Sequence, residues 1–421
     1  MSPEPAWLTT PSAPDAHRWA HEHLGRFAST PIRSGGHLGG QRAADAALAA
    51  FDVRGYAHAR NEVWPVSRRG ASRLSPYIRH GLLSLPQVWA HVAGGPAQDV
   101  TRFRDELLWQ EYARHLYARV GAGSRRSLRF SVREQDAHPA DPSVVWGGDG
   151  ARCLELAWAE LRDEGWLPNQ TRMWLASHWS VREDLGWRDG EDVFFRHLLD
   201  GSRAANRLGW QWTAGALTGK AYGFSQWQVR KRAPDLCAQC PLQQACPISD
   251  WPSTQEREPR LATDPVLRRD EDLQATAGPQ VPQQGITSEA APPVAVWITA
   301  ESLGDADPAL QAHPELPAVF VFDETLLTSL RLSGSRLLFL TECLADLAQR
   351  REVRVAVGDV QVLLTGQPVA ATFTPVPGWR RRAAALQITA LHPWAWLRAP
   401  QAGPVTSFTA WSRSGRSKSR G

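Results

Sequence analysis

Apolar positions recur every three to four residues from about residue 33 to 250, in stretches such as "DVTRFRDELLWQEYARHLYARV" and "ARCLELAWAELRDEG". That period predicts amphipathic helices, and Gly, Pro and Asp clusters mark the turns between them. After residue 292 the pattern changes to short apolar runs, "VAVWITA", "LPAVFVFD" and "REVRVAVGD", with the helical "SRLLFLTECLADLAQR" between the last two. Strand, helix and strand in that order predict a small parallel α/β layer. Residues 252–292 are rich in Pro, Gln and charge and poor in aromatics, which reads as a flexible linker. The expected fold class is α plus α/β: an extension over 1–32, a mostly helical domain over 33–251, the linker, an α/β domain of Rossmann-like type over 293–400, and a basic, disordered tail over 401–421.

Length sharpens this division, since 421 residues suffice for two domains that each bury a core. There is no signal-peptide pattern and no apolar run long enough to span a membrane, so the expectation is a cytoplasmic, monomeric protein. The net charge of +4 is uneven: residues 1–250 carry 30 Lys+Arg against 26 Asp+Glu, and the remainder balances at 17 and 17. A polyanionic partner therefore belongs to the first part. Twenty tryptophans far exceed ordinary usage. Buried rings usually just pack, but many of these stand beside polar residues in short motifs.

The stretch from 165 to 215 holds the densest chemistry. Asn169, Arg172 and Met173 fall at i, i+3 and i+4 and share one helical face, a mixture of amide, cation and soft apolar group that a purely structural helix does not need. Six strings, "SRLSPYIRHG", "ELLWQEYARHL", "PNQTRMW", "GWRDGE", "DGSRAAN" and "GWQW", follow one another between residues 72 and 212. In order and spacing they resemble the FAD-binding helical domain of DNA photolyases and cryptochromes, over roughly residues 36–230.

The resemblance implies a set of site residues. Ser72, Arg73, Leu74 and Ser75 would bind the FAD pyrophosphate through hydroxyls and backbone N–H groups at a helix start. Asp200 would bond the polar edge of the flavin or ribose, Asn206 would face flavin N5, and Phe103 and Arg172 would complete the cofactor site. Gln110 and Ser202 occupy two further cofactor positions, where the family commonly carries Arg and an acid; Gln170 also replaces an Arg. On the substrate side, Glu106 and Trp109 lie at i and i+3 and Trp212 would supply the opposing wall. Such a pocket would hold a cyclobutane pyrimidine dimer flipped out of UV-damaged DNA, with Glu106 and Asn169 bonding its carbonyl edges and Met173 packing beside it. The related (6-4) enzymes resemble this pattern but carry histidines at the positions of Asn169 and Met173. Trp210 and Trp187 match the inner members of the family's electron-relaying tryptophan chain, and Phe130 stands where the outer one is expected.

Three of the five cysteines fall in "CAQCPLQQACP". Cys237 and Cys240 form C-x2-C, Cys246 follows, and Cys153, 84 residues before Cys237, can supply a fourth thiolate. The arrangement resembles the bacterial branch of the family that holds a [4Fe-4S] cluster. Zinc is the competing metal, because four thiolates suit both. Cys343, on an apolar helical face, reads as a core thiol.

Residues 293–400 look like a diverged copy of the α/β domain that normally comes first in this family, which implies a circular permutation. The charged residues that usually follow its first strand are missing, so no antenna pigment is expected. Three readings result: a deoxyribodipyrimidine photo-lyase driven by reduced FAD, a cryptochrome-like blue-light sensor without repair activity, and an iron-sulfur DNA-binding module without photochemistry.

Overall fold

The computed structural model describes residues 7–148, 150–252, 257–259, 264–284 and 291–414. Six strands form one sheet in the order β1-β6-β5-β2-β3-β4, where β1 is Gln283–Gln284, β2 Ala295–Ile298, β3 Ala318–Asp323, β4 Val353–Gly358, β5 Val369–Thr372 and β6 Ile388–His392. All neighbours are parallel except β1, which runs antiparallel to β6. Every residue of β2 and β5 is buried, as expected of parallel strands covered on both faces. The chain runs outward from β2 to β3 and β4, then returns to place β5 on the other side of β2. That reversal is the switch point of a doubly wound sheet, where a crevice opens beyond the carboxyl ends of the strands.

The expected helical region is helical, with its longest element at Ala97–Val120. Its core is aromatic: Trp146, Trp174, Trp179, Trp187 and Trp210 are all almost fully buried. Among the described residues no helix is long and apolar enough to cross a membrane.

Three segments differ from the expectation drawn from composition. The first residues join the α/β layer: Leu8 donates to the Val355 carbonyl on the free edge of β4, and the Ala16–Leu24 helix packs against the Gly334–Leu347 helix.

Within 252–292, expected to be flexible, the described residues are tied down. The Leu273–Ala277 helix is capped by Asp272, its last carbonyl accepts from Trp396 Nε1 at 3.0 Å, and Asp270 lies 3.3 Å from Arg119 with both side chains buried. Charges that look solvated in the sequence have buried partners.

Nor is the end of the chain wholly a loose tail. Residues 401–414 run along the Ala97–Val120 helix and close in a Phe408–Ser414 helix. Arg119 donates to the carbonyls of Gln401 and Gly403, Tyr112 donates to Val405, and Trp411 is buried against His115. Residues 415–421 lie outside the described residues.

Candidate cofactor and substrate site

The carboxylate of Asp200 organises the candidate cofactor site. It accepts two hydrogen bonds from Arg172, at 3.2 and 2.7 Å, and one from the Ser75 hydroxyl. Burial opposes its ionisation, but Arg172 and these bonds prevail and hold it below the usual carboxylate range. Ser75 in turn accepts from Trp166 Nε1 at 3.1 Å. Arg73 stacks its guanidinium 4.5 Å over the Trp166 ring from a left-handed backbone conformation, φ 57°, unusual for a residue with a β-carbon. Its carbonyl bonds His37 Nε2 at 3.0 Å. Burial and the neighbouring Arg73 pull His37 down to about 4, so the ring is neutral at physiological pH. The loop 72–75, Arg172 and Asp200, distant in sequence, are thus one bonded group.

Gly201 follows Asp200 because the backbone has no room for a side chain there: a β-carbon would lie 2.7 Å from the Phe195 carbonyl oxygen and collide with Arg336. Arg336, from the Gly334–Leu347 helix, is buried and donates to the carbonyls of both Phe195 and Gly201. The α/β layer therefore buttresses the turn that presents Asp200. Nothing local in the sequence marked Arg336 for this role, since it is 135 residues from its acceptor.

Asn206 is buried, and its Nδ2 has no hydrogen-bond partner. An unpaired buried amide is costly and calls for a ligand acceptor. Together with the bonded acid, the cation and the hydroxyls, this donor set fits the polar edge of a flavin dinucleotide. Ser202 accepts from the Ala204 backbone at 3.2 Å and borders a cavity of about 300 Å³ between the helical region and the carboxyl ends of β2, β3 and β5. Gln110 is half-buried on the Ala97–Val120 helix, whereas Phe103 packs in the core, 4.9 Å from both Phe51 and Tyr56.

The substrate-side residues present a mixed picture. Glu106 is paired with Arg60 at 2.6 Å. Its burial raises the carboxyl pKa, against the pull of Arg60 and Arg102. Asn169 is exposed and touches the Met173 sulfur at 3.5 Å. Trp212 is half-buried with its ring 5.4 Å from Tyr222, whose hydroxyl accepts from Gln170 at 3.4 Å. Trp109 remains 39% exposed, yet Phe408 lies over one face of its ring, 4.1 Å away and within 10° of parallel. Phe408 stands in a segment whose composition reads as a disordered tail, so no local signal announces this contact.

Of the two expected electron relays, Trp210 is edge-on to Phe194 at 5.0 Å, and Phe194 leads to Trp146 at 6.0 Å and onward to Trp158 and Trp179. Trp187 is fully buried at the start of its helix. Phe130 packs on Gly219, where a β-carbon would meet its ring at 2.8 Å. Tryptophans 146 and 158 have no place in the motifs and were not anticipated.

Cys153, Cys237, Cys240 and Cys246 line one small, mostly apolar cavity with Ala151, Val229, Leu236, Leu242 and Ile248. Burial pushes the Cys153 thiol up to about 12, and the other three cysteines add to the rise. Among the described residues no three His, Cys, Asp or Glu side chains are close enough to hold a single metal ion. Cys343 is buried in the apolar core, as its helical face suggested.

A family model described as the FAD-binding domain of DNA photolyase matches residues 103–235. The deoxyribodipyrimidine photo-lyase of Vibrio cholerae is 33% identical over 157 residues, 35% of this chain and 34% of that protein. That of Thermus thermophilus is 30% identical over 248 residues, 53% of this chain and 57% of the relative. The chain thus spans between a third and somewhat over half the length of these relatives. Among solved structures, the class III photolyase of Agrobacterium tumefaciens aligns with 24% identity and a TM-score of 0.39, over 49% of this chain and 42% of that one. The cryptochrome of Synechocystis sp. PCC6803 aligns with 22% identity and a TM-score of 0.42, over 49% and 46%. The likeness is thus centred on a region that matches the FAD-binding domain of DNA photolyase, residues 103–235.

Proposed function

We propose that this protein binds FAD and uses light to reverse cyclobutane pyrimidine dimers in UV-damaged DNA. The observation that carries the reading is the bonded group of Ser75, Arg172 and Asp200 beside the unpartnered amide of Asn206. When bound, reduced FAD supplies light-driven one-electron chemistry. The chain's residues do the rest. Asp200, ionised and fixed by Arg172, would accept from the polar edge of the cofactor, and the unpartnered Asn206 Nδ2 would donate to it. Trp109 and Trp212 offer flat faces to the two linked pyrimidines turned out of the helix, and Asn169 donates to their carbonyl edge. Glu106, half-buried and held by Arg60, supplies a fixed carboxyl for the same edge. Donors oriented in advance in this way stabilise charge that develops on the dimer.

The four cysteines would hold a [4Fe-4S] cluster that pins the end of the helical domain. Residues 293–400 are read as the family's α/β domain placed after the helical one; the spatial order β6-β5-β2-β3-β4 of a doubly wound sheet supports that reading.

The test is to photoreduce the purified protein without oxygen and follow the reversal of thymine dimers in a single-stranded oligonucleotide under blue light. Reversal is expected. A flavin-loaded, reducible protein that leaves the dimers intact points instead to a cryptochrome-like sensor, the reading favoured by Phe408 lying over Trp109.

A further inference from the structure

Beyond Trp212 the surface continues in aromatic rings. Tyr222 lies 5.4 Å from Trp212. The next residue, Gly223, is overlaid by Trp251, whose Cε3 would sit 3.0 Å from a β-carbon there. Trp251 is 53% exposed. Gln226 donates its backbone N–H to Ile248 at 2.7 Å, and Arg182 bonds the carbonyls of Phe224 and Asp250, so segments 222–227 and 248–251 form one shelf. At its other end Trp227 is 59% exposed, with Lys231 Nζ 5.0 Å over its ring.

Two tryptophans this exposed are not filling a core, and their setting is cationic. From Gly201 to Pro234 the chain has six Lys and Arg and no Asp or Glu. Arg203 is spent on Glu191 and Asp192, Arg207 on Glu191 and Arg232 on Glu62, but Lys220, Arg230 and Lys231 are exposed. Asp250 adds a carboxylate beside Trp251. Flat rings interleaved with exposed cations are the pattern that binds an unpaired polynucleotide, bases stacking on the rings and phosphates meeting the cations.

We infer that the Trp251–Trp227 shelf is a binding site for single-stranded DNA flanking the base held at Trp212. The occupant is fixed by charge complementarity and by continuity with that ring, and this placement rests on the functional reading above. It implies a preference for lesions whose neighbouring bases are unpaired, because only unstacked bases have faces to offer.

The experiment measures the affinity of the full, flavin-loaded chain for a labelled, undamaged oligothymidylate by fluorescence anisotropy across a salt series. In parallel, light-driven reversal of a thymine-dimer dinucleotide, too short to reach the shelf, is followed. Trp251→Ala and Trp227→Ala should each weaken oligonucleotide binding about 5- to 100-fold while leaving flavin content and dinucleotide reversal unchanged. A Lys220→Gln, Arg230→Gln, Lys231→Gln variant should reduce the slope of log K against log salt by about 2. Wild-type affinity in the double tryptophan variant, or an unaltered salt slope in the triple variant, would overturn the proposal. Failure of the wild type to reverse the dinucleotide would strike at the repair reading instead, with the oligonucleotide arm still deciding the shelf.

Discussion

The rings of Phe408 and Trp109 are stacked 4.1 Å apart, although 299 residues separate them in sequence. Their approach is secured by a line of contacts along one helix: Glu111 accepts from the Leu397 and Arg398 backbones, Tyr112 reaches Val405, and His115 accepts from Trp411 Nε1 at 2.8 Å. Phe408 therefore holds a face of the tryptophan assigned to the substrate. An aromatic pair contributes about 0.5–1.5 kcal/mol beyond its buried area. Phe408→Ala should accordingly tighten binding of a dimer-containing oligonucleotide about 2- to 10-fold, measured as a dissociation constant in the dark, with flavin content unchanged. Equal affinity would mean that the lesion uses another face.

Asp200 offers a pH test. Its carboxyl is held below its ordinary value in the folded protein by Arg172, against burial. A depressed folded pKa contributes stability that is fully present above the unfolded value, about 3.9, and is lost as pH falls through the folded value. Asp200→Asn should lower the denaturation midpoint of the cofactor-free protein at pH 7, and the gap from wild type should narrow as the pH is brought below about 3.9. The same variant should lose FAD on gel filtration.

Arg336 joins the two halves of the molecule. Arg336→Ala would leave the carbonyls of Phe195 and Gly201 without this buried donor, at a cost of about 1–3 kcal/mol for each group stranded. Thermal unfolding should shift down by several degrees, and flavin should dissociate faster because the Asp200 turn loses its support. Retention of wild-type flavin kinetics alongside the thermal loss would separate the buttress from the site.

For the cysteines, substituting Ser at Cys240 or Cys246 should abolish iron binding and the broad visible absorption of a cluster, and lower stability together with it. Stoichiometric zinc in the wild type, with no iron after anaerobic purification, would assign the cavity to zinc.

How far the sequence reached depended on the range of each interaction. The helical period over 97–120 and the apolar runs of β2 and β3 follow from local alternation, so both layers were legible. Asp200, Arg172 and Ser75, which the motifs single out, are bonded to one another. Arg336 and Phe408 were not legible, since each acts on a residue far along the chain and neither sits in a distinctive string. Asp270 misled for a related reason: in "RRDED" it looks solvated, yet its partner Arg119 is buried beside it. Composition describes what a segment could do alone, and these segments are not alone.

The Ala16–Leu24 helix lies against the Gly334–Leu347 helix, made more than 300 residues later. At about 5–20 residues per second, a ribosome needs on the order of 15–60 s to deliver that partner. Throughout this interval Trp19, Ala20 and Leu24, buried in the finished protein, have no sheet layer to cover them. The apolar face of this helix is therefore completed only after the Gly334–Leu347 segment has been made, so its docking is a late step relative to its own synthesis.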